Sequence, residues 1–194
     1  YQSLFSGFLA EEEKSRFFIE KNLGKSVEKL ISSLKNEGYL RAEQISIDYK
    51  FKGNDTVDVI IQINEGLLTQ IRSIRFKGLK NFTSNQLFDT IGLQPNSALN
   101  LNKVLDSYSE LQTFYQKNGY LDFQIKTPKN KLINYLDNYE FADLTYEIRE
   151  GPQVIIKNIL TRGNKKTKGK VILRELDLKP GDILTSENIN DSII

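Results

Sequence analysis

Residues 45–52 alternate without a break: Ile45, Ile47, Tyr49 and Phe51 stand between Ser46, Asp48, Lys50 and Lys52. A period of two predicts a half-buried β-strand. Lys52-Gly53-Asn54-Asp55 carries turn chemistry, and Val57, Val59, Ile61 and Ile63 resume the alternation, so the two runs predict a hairpin. Ile74 and Phe76 then alternate with Arg75 and Lys77 as far as Gly78, predicting a further strand. Beyond it the period lengthens. Leu87, Phe88 and Ile91 share one face of a short helix, with Thr83 or Ser84 as its N-cap. Leu101, Val104, Leu105, Tyr108, Leu111 and Tyr115 predict a longer helix over about 101–117, capped by Asn100 or Asn102 and ended by Asn118-Gly119. Leu121, Phe123 and Ile125 alternate again, a loop is expected around 129–139, and "FADLTYEIREG" closes the series as a strand. At the start of the chain, Leu4, Phe5, Phe8 and Leu9 predict an amphipathic helix.

The unit so read is β-α-α-β-β, an α+β arrangement in which a three-stranded mixed sheet is covered on one face by two helices. The pattern is written more than once. Ile71, Ile74, Gly78, Leu87, Ile91, Leu93, Pro95, Leu99 and Val104 return 85 positions later as Ile156, Ile159, Gly163, Ile172, Leu176, Leu178, Pro180, Leu184 and Ile189. Upstream, "LKNEGYL" (34–40) resembles "YQKNGYL" (115–121). A shared period of this length marks tandem structural repeats. The expected division is 1–65, a unit lacking its first strand; 66–150, a complete unit; and 151–194, the front of a further one. The boundaries fall at Glu65-Gly66 and Glu150-Gly151-Pro152. No flexible linker composition separates them, which predicts a stiff array.

Composition narrows the chemistry. The 194 residues are 39% hydrophobic and 27% charged, with a formal net charge of +2. His, Cys, Met and Trp are absent. A Ser-His-Asp triad, a Cys nucleophile and the usual zinc ligands are therefore excluded. From the lack of any Met, an initiator included, the chain is expected to be a fragment or a processed piece. "GNKKTKGKV" (163–171) superficially suggests a phosphate loop, but Gly163 and Gly169 enclose five residues and Val171 follows Lys170 where Ser or Thr is required. Lys165, Lys166, Lys168 and Lys170 there lack an aromatic platform, so nucleic acid is not expected. Asp137, Glu140 and Asp143 cluster in sequence without marking a cleft or a metal loop, and the chain is not expected to be an enzyme.

Tandem β-α-α-β-β units carrying "EGPQVIIKNILTRGN", "VILRELDLKPGD" and "YQKNGYLDFQI" resemble POTRA domains. These are the polypeptide-transport-associated repeats of the outer-membrane barrel assembly family, BamA/TamA-like. The resemblance covers roughly 23–194. Gly163-Asn164, Arg174-Glu175-Leu176, Pro180-Gly181-Asp182 and Gly119-Tyr120 carry it, while Gly78-Leu79 and Pro95-Asn96 in the middle unit depart from the pattern. It implies a periplasmic polypeptide-binding and scaffolding region of an outer-membrane β-barrel assembly or translocation protein. It implies, as partners, unfolded outer-membrane protein clients, accessory assembly proteins and a C-terminal membrane barrel not in this chain, with peripheral contact to lipid headgroups; no cofactor is implied. The alternative is a structural spacer or docking module of a two-partner secretion transporter or cell-division protein, without client binding. A strand with one unpaired side offers backbone groups for strand addition. The expected edges are 45–51, with Ile45, Ile47 and Tyr49, and 121–127, with Leu121, Phe123 and Ile125. Glu65, Gly66, Glu150, Gly151 and Pro152 are expected to form the junctions between repeats.

Overall fold

The computed structural model describes residues 20–53, 56–176 and 178–191. The helix expected around Leu4–Leu9 lies outside them. In chain order the elements are α1 (Glu20–Asn36), β1 (Glu43–Lys52), β2 (Thr56–Asn64), β3 (Gln70–Lys77), α2 (Ser84–Ile91), α3 (Leu101–Lys117), β4 (Gln124–Ile125), β5 (Ile133–Leu136), β6 (Phe141–Arg149), α4 (Gly169–Arg174) and α5 (Ser186–Asp191). Two compact units result. Of the described residues, one holds 20–35 and 41–65; the other holds 36–40 and those from 66 to 191.

In the first unit β1 and β2 form the expected antiparallel hairpin, with an irregularity between Gln44 and Ser46 that sets Ile45 out of register. Val57, Val59, Ile61 and Ile63 are half-buried and the residues between them exposed, as a one-sided strand requires. Val27 and Leu34, two turns apart on α1, are buried.

The second unit is built around β6. β3 runs parallel to it on one side, with a bulge at Arg72; β4 and β5 both run antiparallel on the other. Ala142, Leu144, Tyr146 and Ile148 face α2 and α3 across a core shared with Ile71, Ile74, Leu87, Ile91, Val104, Leu111, Tyr115 and Phe123. Each fully buried Val, Leu, Ile or Phe side chain among them contributes about 1.5–3 kcal/mol. Ser107 Oγ and Tyr146 Oη, 2.8 Å apart, satisfy one another inside it.

Both helices end where local chemistry says they should. Thr83 forms a capping box with Gln86 at the start of α2, and Asn100 Oδ1 accepts from the Lys103 N–H at the start of α3. At the end of α3, Gly119 (φ +84°) places its N–H on Gln116 O and turns the Tyr120 N–H onto Tyr115 O, a Schellman motif. Asn96 adopts φ +64° where the next repeat has Gly181 at +99°; Asn is one of the few residues that tolerates this region, so the departure in sequence preserves the turn.

One element differs from expectation. The strand predicted at 121–127 is reduced to Gln124–Ile125, and the loop predicted at 129–139 contains β5 between a 3-10 turn, Lys129–Lys131, and a positive-φ turn, Asp137–Tyr139. Leu121 and Asp122 belong to the turn that leaves α3. Pro128 has no N–H to give a ladder, and the chain steps out at that point before re-pairing.

Candidate functional site

The outer side of the sheet beyond β6 is a composite edge. Lys126 N–H donates to Glu147 O at 2.7 Å and Thr145 N–H donates to Leu132 O at 3.1 Å. Between these rungs the side chain of Thr127 substitutes for backbone: its hydroxyl accepts from the Glu147 N–H (2.8 Å) and donates to Thr145 O (3.1 Å). Thr127 therefore lets the sheet continue across the interruption.

Alternation along an antiparallel ladder decides which groups point outward. Leu132 faces β6, so Asn134 and Leu136 do too, and the N–H and C=O of Ile133 and Tyr135 face away. By the same rule Lys126 and Gln124 face β6 and Ile125 faces away. Among the described residues, no further strand pairs with β4 or β5.

The residues expected on this edge divide. Ile125 presents its backbone outward. Phe123 is buried, stacks on Tyr115 with ring centroids 3.9 Å apart, and spends its N–H on Tyr120 O. Leu121 is half-buried in the turn. β5, with Ile133 and Tyr135, supplies most of the edge, and the sequence reading missed it. The signal was the β-prone run Ile133-Asn134-Tyr135-Leu136 between Pro128 and the turn residues Asp137-Asn138, masked by its polar neighbours.

β5 is held by an uncommon turn. Asp137, Asn138 and Tyr139 have φ of +45°, +60° and +73°. Each non-glycine residue in that region costs roughly 1–2 kcal/mol, and the surroundings supply the compensation. Thr69 Oγ1, fully buried, donates to Tyr139 O at 2.6 Å; Gln70 N–H donates to Glu140 O at 2.9 Å; the Tyr135 and Tyr139 rings lie 5.0 Å apart. Burial, together with the neighbouring Tyr139, raises the pKa of the Tyr135 phenol.

In the first unit, Ile47 and Tyr49 are half-buried, while Ile45, at the irregularity, is 62% exposed. Among the described residues β2 is the strand paired with β1.

At the expected junctions the two glutamates are placed differently. Glu65 is half-buried and Gly66 has φ +71°. Glu150 is 3% exposed and accepts four groups: the backbone N–H of Lys80 and of Asn81, Asn81 Nδ2, and Tyr115 Oη. It ties the end of β6 to the loop after β3 and to α3, all inside one repeat. Gly151 follows with φ +74°, and a Cβ there would lie 3.1 Å from Asp122 Cβ.

Within the acidic cluster, Asp143 has a structural role. Asp143 accepts a two-pronged contact from Arg72 (3.1 and 2.6 Å) and a bond from Ser73 Oγ (2.7 Å). These hydrogen bonds, Arg72 first, lower its pKa to about 2. Lys165, Lys166, Lys168 and Lys170 are exposed around the start of α4. Among the described residues there is no group of three or more His, Cys, Asp or Glu able to hold a metal, and no helix is long and apolar enough to cross a membrane.

The POTRA family model, described as a surface antigen variable number repeat, matches residues 69–151 and 154–194. Among curated proteins, the outer membrane protein assembly factor BamA of Buchnera aphidicola is 26% identical over 149 residues, covering 72% of this chain and 24% of that protein. A putative outer membrane protein assembly factor of Treponema pallidum is 29% identical over 172 residues, covering 78% of this chain and 19% of that protein. The chain thus spans about a fifth to a quarter of the length of these relatives. Among solved structures, POTRA3-5 of Haemophilus influenzae BamA aligns over 91% of this chain and 68% of that one, with TM-score 0.46 and 19% identity.

Proposed function

The chain belongs to the POTRA family, and on that premise we propose that it is the periplasmic polypeptide-binding and scaffolding region of an outer-membrane β-barrel assembly or translocation protein. The clients are unfolded outer-membrane proteins or accessory assembly proteins, and the chain works beside a membrane barrel of the same polypeptide. The relatives' descriptions as outer membrane protein assembly factors support this reading. The observation that carries the mechanism is the edge of β5, where Ile133 and Tyr135 turn their backbone groups away from β6. An extended segment added there pairs with those groups. The hairpin edge at Ile45–Phe51 is the second candidate, with Ile45, Ile47 and Tyr49.

The magnitudes favour a weak hold. Four backbone hydrogen bonds contribute roughly 1 kcal/mol each. Ordering four client residues costs about 1–2 kcal/mol apiece. Side-chain burial against the sheet edge must supply the difference, at about 25 cal/mol per Å². A client held this way leaves easily, as a protein that passes clients onward requires.

The test uses a synthetic peptide of alternating apolar and polar residues, of the kind that forms a barrel strand. Titrated into the 15N-labelled chain, it is expected to shift the amides of Ile133, Tyr135 and Ile125. Tyr135→Pro removes an outward N–H, with Asn134 before it in the extended conformation that a following proline accepts, and is expected to abolish the shifts at Ile133 and Ile125. Absence of shifts on both β5 and β1 overturns the client-binding reading and leaves the spacer or docking module in its place.

A further inference from the structure

The repeat of 85 positions reappears in backbone hydrogen bonds, with the loop glycine recurring after 81. Around the start of β3, Thr69 N–H donates to Gly38 O, Leu99 N–H to Thr69 O, Ile71 N–H to Ser97 O and Asn96 N–H to Ile71 O. At the head of the next repeat, Val154 N–H donates to Gly119 O, Leu184 N–H to Val154 O, Ile156 N–H to Asp182 O and Gly181 N–H to Ile156 O. Isolated bridges match as well, Gln70 with Ala98 and Ile155 with Ile183. The whole of the second set, and the whole of the first, lies within one compact unit.

Side chains at these positions differ: Thr69 against Val154, Gln70 against Ile155, Ala98 against Ile183. The identities kept are Ile71 and Ile156, Leu99 and Leu184, and the two glycines. Gly38 and Gly119 both have positive φ, +106° and +84°, which swings the carbonyl out of the loop toward the incoming strand. Neither has space for a side chain. A Cβ on Gly38 would lie 2.6 Å from Leu99 O, and one on Gly119 would overlap Ile183 Cγ2.

We propose that the loop glycine, the first-strand N–H and the turn leucine form a rigid, backbone-coded socket. It joins the repeat of residues 66–150 to the one that follows, so that the two move as one body. Glu150 anchors the last turn of chain inside the first of them, leaving residues 151–153 as the connection. Pro152 restricts φ within it, Gly151 sits against Asp122, and Gln153 Nε2 donates to Asn118 O at 3.0 Å. Lys117 and Glu187 add an ion pair at 2.8 Å between α3 and α5, half-exposed or more at both ends and therefore a minor contribution. The connection has no slack, and what it joins is fixed by main-chain groups.

The chain has no cysteine, so two introduced ones can be spin-labelled uniquely. Asn85→Cys on α2 and Lys170→Cys on α4 are exposed and outside the socket. Pulsed dipolar spectroscopy of the full chain is expected to give one narrow distance distribution. Gly119→Val, strained at positive φ and overlapping Ile183, is expected to broaden it by roughly twofold or more. Val154→Pro removes the donor to Gly119 O without touching the α3 cap and is expected to do the same. Val154→Thr, the residue used at Thr69, is expected to leave the width unchanged. A broad distribution in the unaltered socket overturns the proposal. So does a narrow one in either Gly119→Val or Val154→Pro, or a broad one in Val154→Thr.

Discussion

Replacing Glu150 by Leu tests whether this carboxylate is a structural node of the middle repeat. Leucine approximates the side-chain volume but accepts nothing. Lys80 and Asn81 are exposed residues, so water replaces most of what their donors lose, at about 1 kcal/mol in all. Tyr115 is fully buried and stacked on Phe123, so its hydroxyl is stranded, at about 1–3 kcal/mol. The sum is roughly 2–4 kcal/mol. In the Tyr115→Phe background there is no hydroxyl to strand, and the penalty of Glu150→Leu should shrink by about 1–3 kcal/mol. Urea unfolding followed by far-UV circular dichroism measures both, read as a shift of midpoint at constant slope. Amide exchange at Lys80 and Asn81 supplies a local reading, with protection lost in Glu150→Leu and retained in Tyr115→Phe. The reasoning fails if Glu150→Leu lies within about 0.5 kcal/mol of the parent, or if its penalty is the same in both backgrounds.

Gly78 has φ +92° and a Cβ there would overlap Ile148 O; Gly78→Ala is expected to cost more than about 2 kcal/mol by the same urea assay, since the obstacle is backbone. Asp143 is held near pKa 2, below its ordinary 3.8. A depressed folded-state value gives stability that is complete above about pH 4 and lost as pH falls through about 2. Asp143→Asn should therefore flatten the acid limb of a pH–stability curve and leave the slope near neutrality alone. Thr127→Val keeps the shape but removes both bonds that bridge β4 and β5; a loss of about 1–2 kcal/mol is expected, with increased amide exchange at Glu147, and unchanged exchange there would refute its role in the ladder.

The composite edge shows where sequence reasoning stops. Alternation through Leu121, Phe123 and Ile125 reports which face is apolar, and the buried Phe123 agrees with it. It does not report what a strand pairs with. Phe123 lies before the ladder begins, and β5 pairs with β6 through residues whose polar neighbours hide their period. The turn at Asp137–Tyr139 has no glycine to announce positive φ, because its conformation is held by Thr69 and Gln70 from 70 positions earlier. No local rule encodes a constraint applied from that distance. The Glu150 node was hidden for the same reason, since its four partners sit on two other elements.

What the sequence by itself determined is local and periodic. The apolar spacing of α3, the capping residues Thr83 and Asn100, the stop at Gly119 and the period of 85 positions follow from interactions within a few residues, and they decide the β-α-α-β-β order and its repetition. Tertiary structure decided what each strand edge faces, which carboxylate is buried, and that one set of main-chain bonds is built at Thr69 and again at Val154. Those outcomes depend on backbone groups, which every residue carries alike, so side-chain identity leaves them open until packing brings the partners together.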